Sequence, residues 1–182
     1  MCGQCQQQRP AFTTTVAALR YEGSGETLVH RFKFGNDQAA GKILATTLAQ
    51  RAVRAERPDV LVPIPLSRQR LRARGFDQSW EVARHVAQLL ALSANFSGVR
   101  RISNHVPQSS LKTWSARRRN VRGVFHVEPE RIKGKHVAIV DDVMTSGATA
   151  SSLARQLMLA GARRVDVWVS CRAGLSSVKI RH

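Results

Sequence analysis

The sequence is poor in cysteine, in acidic side chains and in long apolar runs. Its three cysteines, Cys2, Cys5 and Cys171 among 182 residues, are an odd number that provides no disulfide framework and suits a reducing compartment. No stretch approaches the roughly 20 apolar residues needed to span a bilayer, and the opening Met1-Cys2-Gly3-Gln4-Cys5-Gln6 lacks the apolar segment of a secretory signal. These absences predict a cytoplasmic protein with no membrane span. Acids are few as well: 12 Asp+Glu against 29 Lys+Arg leave a net charge of +17. That excess points to an anionic partner, and clustered guanidinium groups suit nucleic acid and small polyphosphates alike. What remains is globular in character, with 43% hydrophobic and 23% charged residues in a length that fits one core.

The order of elements predicts an α/β fold. Residues 1 to 11 are polar and Gln-rich around a Cys-x-x-Cys. Thr13 to Tyr21 is rich in β-branched residues and stops at Glu22-Gly23-Ser24-Gly25, which predicts a strand and a turn. Thr27 to Phe34 suggests a short helix. Asp37 then caps a long one, with Ile43, Leu44, Leu48 and Val53 at helical spacing. Val60 to Pro65 fits a buried parallel strand, Gln78 to Leu92 a helix with Trp80, Val82, Ala83, Val86, Leu89 and Leu90 on one broad face, and Val99 to Ile102 a short strand. Asn104 to Arg122 has no clean period and reads as a long surface loop. His136 to Val140, Ala148 to Ala160 and Val165 to Cys171 form strand, helix and strand, a βαβ unit within a mainly parallel sheet.

The chemistry concentrates in Val137-Ala138-Ile139-Val140-Asp141-Asp142-Val143-Met144-Thr145-Ser146-Gly147-Ala148-Thr149. Ligands of open parallel sheets bind beyond the carboxyl ends of the strands, where Asp141 and Asp142 are expected. The turn from Thr145 to Thr149 offers backbone N–H groups, three hydroxyls and a helix N-terminus to a phosphate, and Gly147 permits close approach. Two adjacent carboxylates would repel that phosphate, so they suit sugar hydroxyls or a divalent cation such as Mg²⁺.

This segment resembles the phosphoribosyl pyrophosphate (PRPP) motif of type I phosphoribosyltransferases. The resemblance implies that fold, with a mainly parallel sheet flanked by helices and a flexible hood loop. It also implies that Asp141 and Asp142 hold the ribose with Mg²⁺ while Thr145, Ser146, Gly147, Ala148 and Thr149 bind the 5′-phosphate. Upstream, Val62-Pro63-Ile64-Pro65-Leu66-Ser67 followed by Arg68, Arg70, Arg72 and Arg74-Gly75-Phe76-Asp77-Gln78-Ser79 looks like the ComF/GntX-like subfamily, associated with competence and gluconate utilisation. By that likeness Leu66, Ser67, Arg68 and Arg74 are candidates for binding pyrophosphate. Phe32-Lys33-Phe34-Gly35 also fits, with Lys33 a further candidate phosphate contact and a snorkelling surface lysine the alternative. The stretch from Val106 to Phe125 resembles the subfamily's hood region, with Gln108, Lys112, Trp114, Arg117, Arg118 and Arg119 as candidate residues. Closure of such a loop would exclude water from the reacting carbon.

Such proteins usually begin with a zinc module of four ligands. Here Cys2 and Cys5 supply half a set, which cannot close a tetrahedron unless completed elsewhere. Residues 1–11 are therefore expected to be the remnant of that module in a shortened form, and residues 12–182 the phosphoribosyltransferase-like domain. The histidines show no ligand spacing, and Cys171 is expected to be an inert buried thiol. The resemblance implies pentosyl transfer from PRPP, or another phosphorylated ribose, to a nitrogenous acceptor with release of pyrophosphate. The rival reading is a competence-type protein handling single-stranded DNA through the same fold, its cations meeting phosphates and Trp114 stacking a base.

Overall fold

The computed structural model describes residues 10–94, 97–102 and 124–174. Cys2, Cys5 and the hood residues Gln108, Lys112, Trp114, Arg117, Arg118 and Arg119 lie outside them. In chain order the elements are β1 (Thr15–Arg20), α1 (Ser24–Phe34), α2 (Gln38–Ala52), β2 (Val60–Pro63), α3 (Arg68–Arg74), α4 (Gln78–Leu90), β3 (Val99–Arg101), β4 (Phe125–Val127), α5 (Pro129–Ile132), β5 (His136–Met144), α6 (Ala148–Leu159) and β6 (Arg164–Arg172). Four strands form a parallel sheet in the order β1-β6-β5-β2, and β3 pairs antiparallel with β4 in a separate ribbon.

Side chains alternate across the central sheet into two cores. Leu61, Ala138, Val140 and Trp168 face a layer made by α1, α2 and α4. Val60, Val62, Val137, Ile139, Val165, Val167 and Val169 face α6 and the β3–β4 ribbon. Burial on both faces explains why β5 and β6 read as continuous apolar runs.

The structure corrects several expectations. β5 does not stop at Val140. It pairs with β6 out to Met144↔Arg172, so the acidic pair lies within the strand. The ladder continues because Val143 and Met144 each find an apolar core beyond the two acids, on opposite faces of the sheet. Arg68 to Arg74, which carries no element expected from the sequence, forms a helix: Ser67 caps it by accepting from the Arg70 N–H at 3.3 Å, and Gly75 ends it at φ 78°. On α2 the buried face is Ala40, Gly41, Leu44, Ala45, Leu48, Ala49 and Ala52, whereas Ile43 and Val53 are exposed. On α4, Leu89 is likewise exposed. Small residues face inward on α2 because the helix lies close against its neighbours, and the Phe32 ring presses on Gly41.

Candidate functional site

The carboxyl ends of the parallel strands bring together pieces distant in sequence. Asp141 and Asp142 come from β5, Ser79 and Asp77 from the start of α4, and Lys33 from the last turn of α1. Asp142 is 6% exposed and forms an ion pair with Lys33, Nζ to Oδ2 3.0 Å. Asp141 Oδ1 accepts from the Ser79 hydroxyl at 2.8 Å and from the Asp142 N–H at 3.0 Å. Burial, together with the adjacent Asp142 charge, pushes the Asp141 carboxyl up to about 7. One ammonium and one hydroxyl therefore offset the repulsion between neighbouring acids in a setting of low polarity.

Lys33 thus lies in the site with its ammonium on a carboxylate. Its backbone is fixed by its neighbour Phe32, which is 1% exposed and has its ring centroid 5.3 Å from that of Phe76.

The turn after β5 has the features of an anion cradle. Gly147 adopts a left-handed conformation, φ 75°, and no side chain caps α6 through it. Ser146 Oγ accepts from the Ala148 N–H at 3.3 Å, and Thr145, Ser146, Ala148 and Thr149 are all exposed. Amides and hydroxyls at the start of a 12-residue helix present positive potential to solvent.

The segment after β2 is organised by Asp77. Its Oδ2 accepts from the Leu66 N–H at 3.1 Å and its Oδ1 from the Trp80 N–H at 3.1 Å, tying the loop to the N-terminus of α4. Burial raises the Asp77 carboxyl above its ordinary range. The Leu66 amide is therefore already committed, Ser67 serves as a helix cap, and Arg68 is exposed at the start of α3. Arg74 is steadied by a 2.8 Å bond from Nη1 to Gln78 Oε1 and lies over the Phe34 ring, 5.6 Å from its centroid.

Reading the sequence assigned no role to Asp77 or Ser79. The signal was present, since an Asp followed by a strongly amphipathic segment marks a helix N-cap. What Ser79 does was not signalled, because its partner is 62 positions away. Cys171 is fully buried, its thiol pushed up to about 11 chiefly by burial, as expected of an inert thiol. No helix among the described residues is long and apolar enough to cross a membrane.

A parallel sheet flanked by helices, with two acids and an open Gly-containing turn at its carboxyl end, has the architecture of the type I phosphoribosyltransferase fold. Solved structures agree. Glutamine PRPP amidotransferase from B. subtilis, complexed with ADP and GMP, matches with a TM-score of 0.53 and 25% identity over 71% of this chain and 26% of that one. Adenine phosphoribosyltransferase from Leishmania tarentolae shares the fold, with a TM-score of 0.51 and 13% identity over 88% of this chain and 76% of that one. No family model matches. Among curated proteins, DNA utilization protein YhgH of Salmonella typhi is 33% identical over 177 residues, 94% of this chain and 77% of its own. Competence protein F of Haemophilus influenzae is 28% identical over 180 residues, 94% and 78% respectively. The chain belongs to the ComF-like family of phosphoribosyltransferase-fold proteins.

Proposed function

We propose that the protein binds PRPP, or a closely related phosphorylated ribose, together with Mg²⁺, and transfers the phosphoribosyl group to a nitrogenous acceptor. The observation that carries this reading is the continuity of Asp141 and Asp142 with the exposed turn around Gly147, a carboxylate pair leading directly into an anion cradle. The carboxylates accept from ribose hydroxyls and the turn holds the 5′-phosphate. Ser67, Arg68 and Arg74 meet pyrophosphate at the neighbouring strand end, with Leu66 giving that loop its path. Lys33 contributes by holding the Asp142 carboxylate in place through their ion pair.

In the reaction the bond from the anomeric carbon to the pyrophosphate oxygen breaks and a bond to the acceptor nitrogen forms. Pyrophosphate takes the bonding electrons and the acceptor releases a proton. The two carboxylates favour the positive charge that develops on the ribose. No side chain of this chain is needed as a base when the acceptor nitrogen has its own lone pair.

Among the described residues no group of three or more His, Cys, Asp or Glu stands ready to hold a metal. That fits an ion that arrives on the ligand's phosphates and takes at most one or two carboxylates from the protein. Bound there, Mg²⁺ supplies neutralisation of charge on the leaving group.

The test is calorimetry with PRPP and Mg²⁺. Binding by the unaltered chain and a loss of roughly tenfold or more in Asp142→Asn are expected, the scale of one charged hydrogen bond. Absence of binding by the unaltered chain would overturn the reading.

A second reading is supported by a specific surface. α3 carries Arg68, Arg70, Arg72 and Arg74 and buries no residue, and the Arg70 charge lies near enough to Arg101 of β3 to act on it electrostatically. Together with relatives named for DNA utilization and competence, this basic face supports single-stranded DNA handling. Its affinity should fall steeply with salt, and a flat dependence would reject it. Competition between PRPP and an oligonucleotide would show whether the two share the cradle.

A further inference from the structure

β6 carries an arginine at each end, and their surroundings differ. Arg164, at the N-terminal end, pairs with both Glu56 and Asp166. Arg172, at the C-terminal end, has a buried Nη1 with no hydrogen-bond partner among the described residues. A buried guanidinium donor left unsatisfied is costly, and the cost is removed only by an acceptor. Where Nη1 lies says what kind of acceptor. A Cβ placed on Gly147 would be 3.8 Å from it, so the nitrogen sits directly beneath the turn that opens α6.

The backbone at Arg172 is anchored on both sides. It pairs with Met144 on β5 and Arg20 on β1, its carbonyl accepts from the Tyr21 N–H at 2.8 Å, and the next residue, Ala173, donates to the Met144 carbonyl at 3.0 Å. The turn above it offers amides and hydroxyls but no cation of its own.

We propose that Arg172 is the fixed cation of the phosphate cradle, contacting a phosphate monoester held in the Thr145 to Thr149 turn from the sheet side. This rests on the sugar-phosphate reading and adds to it a residue outside the motif that suggested that reading. The ligand class is a phosphate monoester dianion, bound by helix N-terminal amides above and a guanidinium below.

The experiment measures binding of ribose 5-phosphate, with pyrophosphate as a control, to the full chain by calorimetry. Arg172→Met is expected to weaken ribose 5-phosphate by about 30-fold, the loss of a charge-assisted pair, and Arg172→Lys to recover part of it, with pyrophosphate little changed. In chain labelled with ¹⁵N-arginine, the Arg172 guanidinium resonance should shift as ribose 5-phosphate is added, a readout that needs no variant to fold. Undiminished affinity in folded Arg172→Met, an equal loss for pyrophosphate, or an unmoved resonance overturns the proposal. So does failure of the unaltered chain to bind ribose 5-phosphate. A chain that binds ribose 5-phosphate through Arg172 yet ignores PRPP with Mg²⁺ would uphold the cradle and remove the transferase reading.

Discussion

Asp141 and Asp142 are neighbours in sequence with different environments. Asp142 has an ammonium 3.0 Å away, whereas among the described residues Asp141 accepts hydrogen bonds from a hydroxyl and an amide. The Asp141 carboxyl stands at about 7 against an ordinary 3.8, so between those values the folded chain holds a proton that the unfolded chain releases. Its contribution to stability is present below about pH 4 and is lost as pH rises through 7. Asp141→Asn should therefore raise the melting temperature at pH 8, by roughly 1–3 kcal/mol of stability, and leave it nearly unchanged at pH 4. Equal shifts at both pH values, read by calorimetric melting, would contradict this account. Ser79→Ala removes a side-chain donor to Asp141 and should weaken PRPP binding more at pH 6.5 than at pH 8.5, because the acid then ionises later.

Among the elements, the first two helices decide where Lys33 sits. A Cβ on Gly41 would lie 2.5 Å from the Phe32 ring. Gly41→Ala must therefore push α1 away from α2, costing about 1–3 kcal/mol by overpacking. It should also reduce ligand binding, since Lys33 is the residue after Phe32. The element that opens the cradle is as constrained. Gly147 has φ 75°, and a Cβ there would lie 2.6 Å from Met144 Cε. Gly147→Ala is expected to cost about 1–2 kcal/mol through left-handed strain alone and to abolish ribose 5-phosphate binding. A melt and a titration of the same sample check both effects.

Over the whole molecule, the two ends of the sheet divide the work. The carboxyl end collects the candidate site, and the amino end is held by a polar cluster. There Asp166, 1% exposed, accepts from the Thr14 N–H on the chain entering β1, contacts His136 Nε2 of β5 at 2.9 Å and pairs with Arg164 on its own strand. Burial opposes ionisation of Asp166, but the bonds from Arg164, His136 and Thr14 outweigh it and hold the carboxyl below its ordinary range. Its stabilising effect is therefore full at neutral pH and is lost as pH falls below about 4. Asp166→Asn should cost about 3 kcal/mol at pH 7, the scale for breaking a buried ionic group. The difference from the parent chain should shrink at pH 3, as denaturant unfolding at the two pH values would show. Ligand affinity at the far end should hardly move.

The sequence alone determined the alternation of strands and helices and pointed to the carboxyl end of the sheet, with the segment from Val137 to Thr149, as the candidate site. Those features are local: apolar runs, an N-capping Asp37 that accepts from the Ala39 and Ala40 N–H groups, and a glycine in the turn before a helix. Helix formation in Arg68 to Arg74 was as local, yet the density of charge masked good helix formers between Ser67 and Gly75. Only the tertiary structure decided the partners of the acidic pair. Lys33 and Ser79 reach it from 109 and 62 positions away, and no periodicity encodes such a distance. The same holds for Arg172, whose nitrogen without a partner among the described residues is visible only when β6 is laid beside β5. Charge and hydropathy are properties of residues, but satisfaction of a buried charge depends on neighbours that folding brings together.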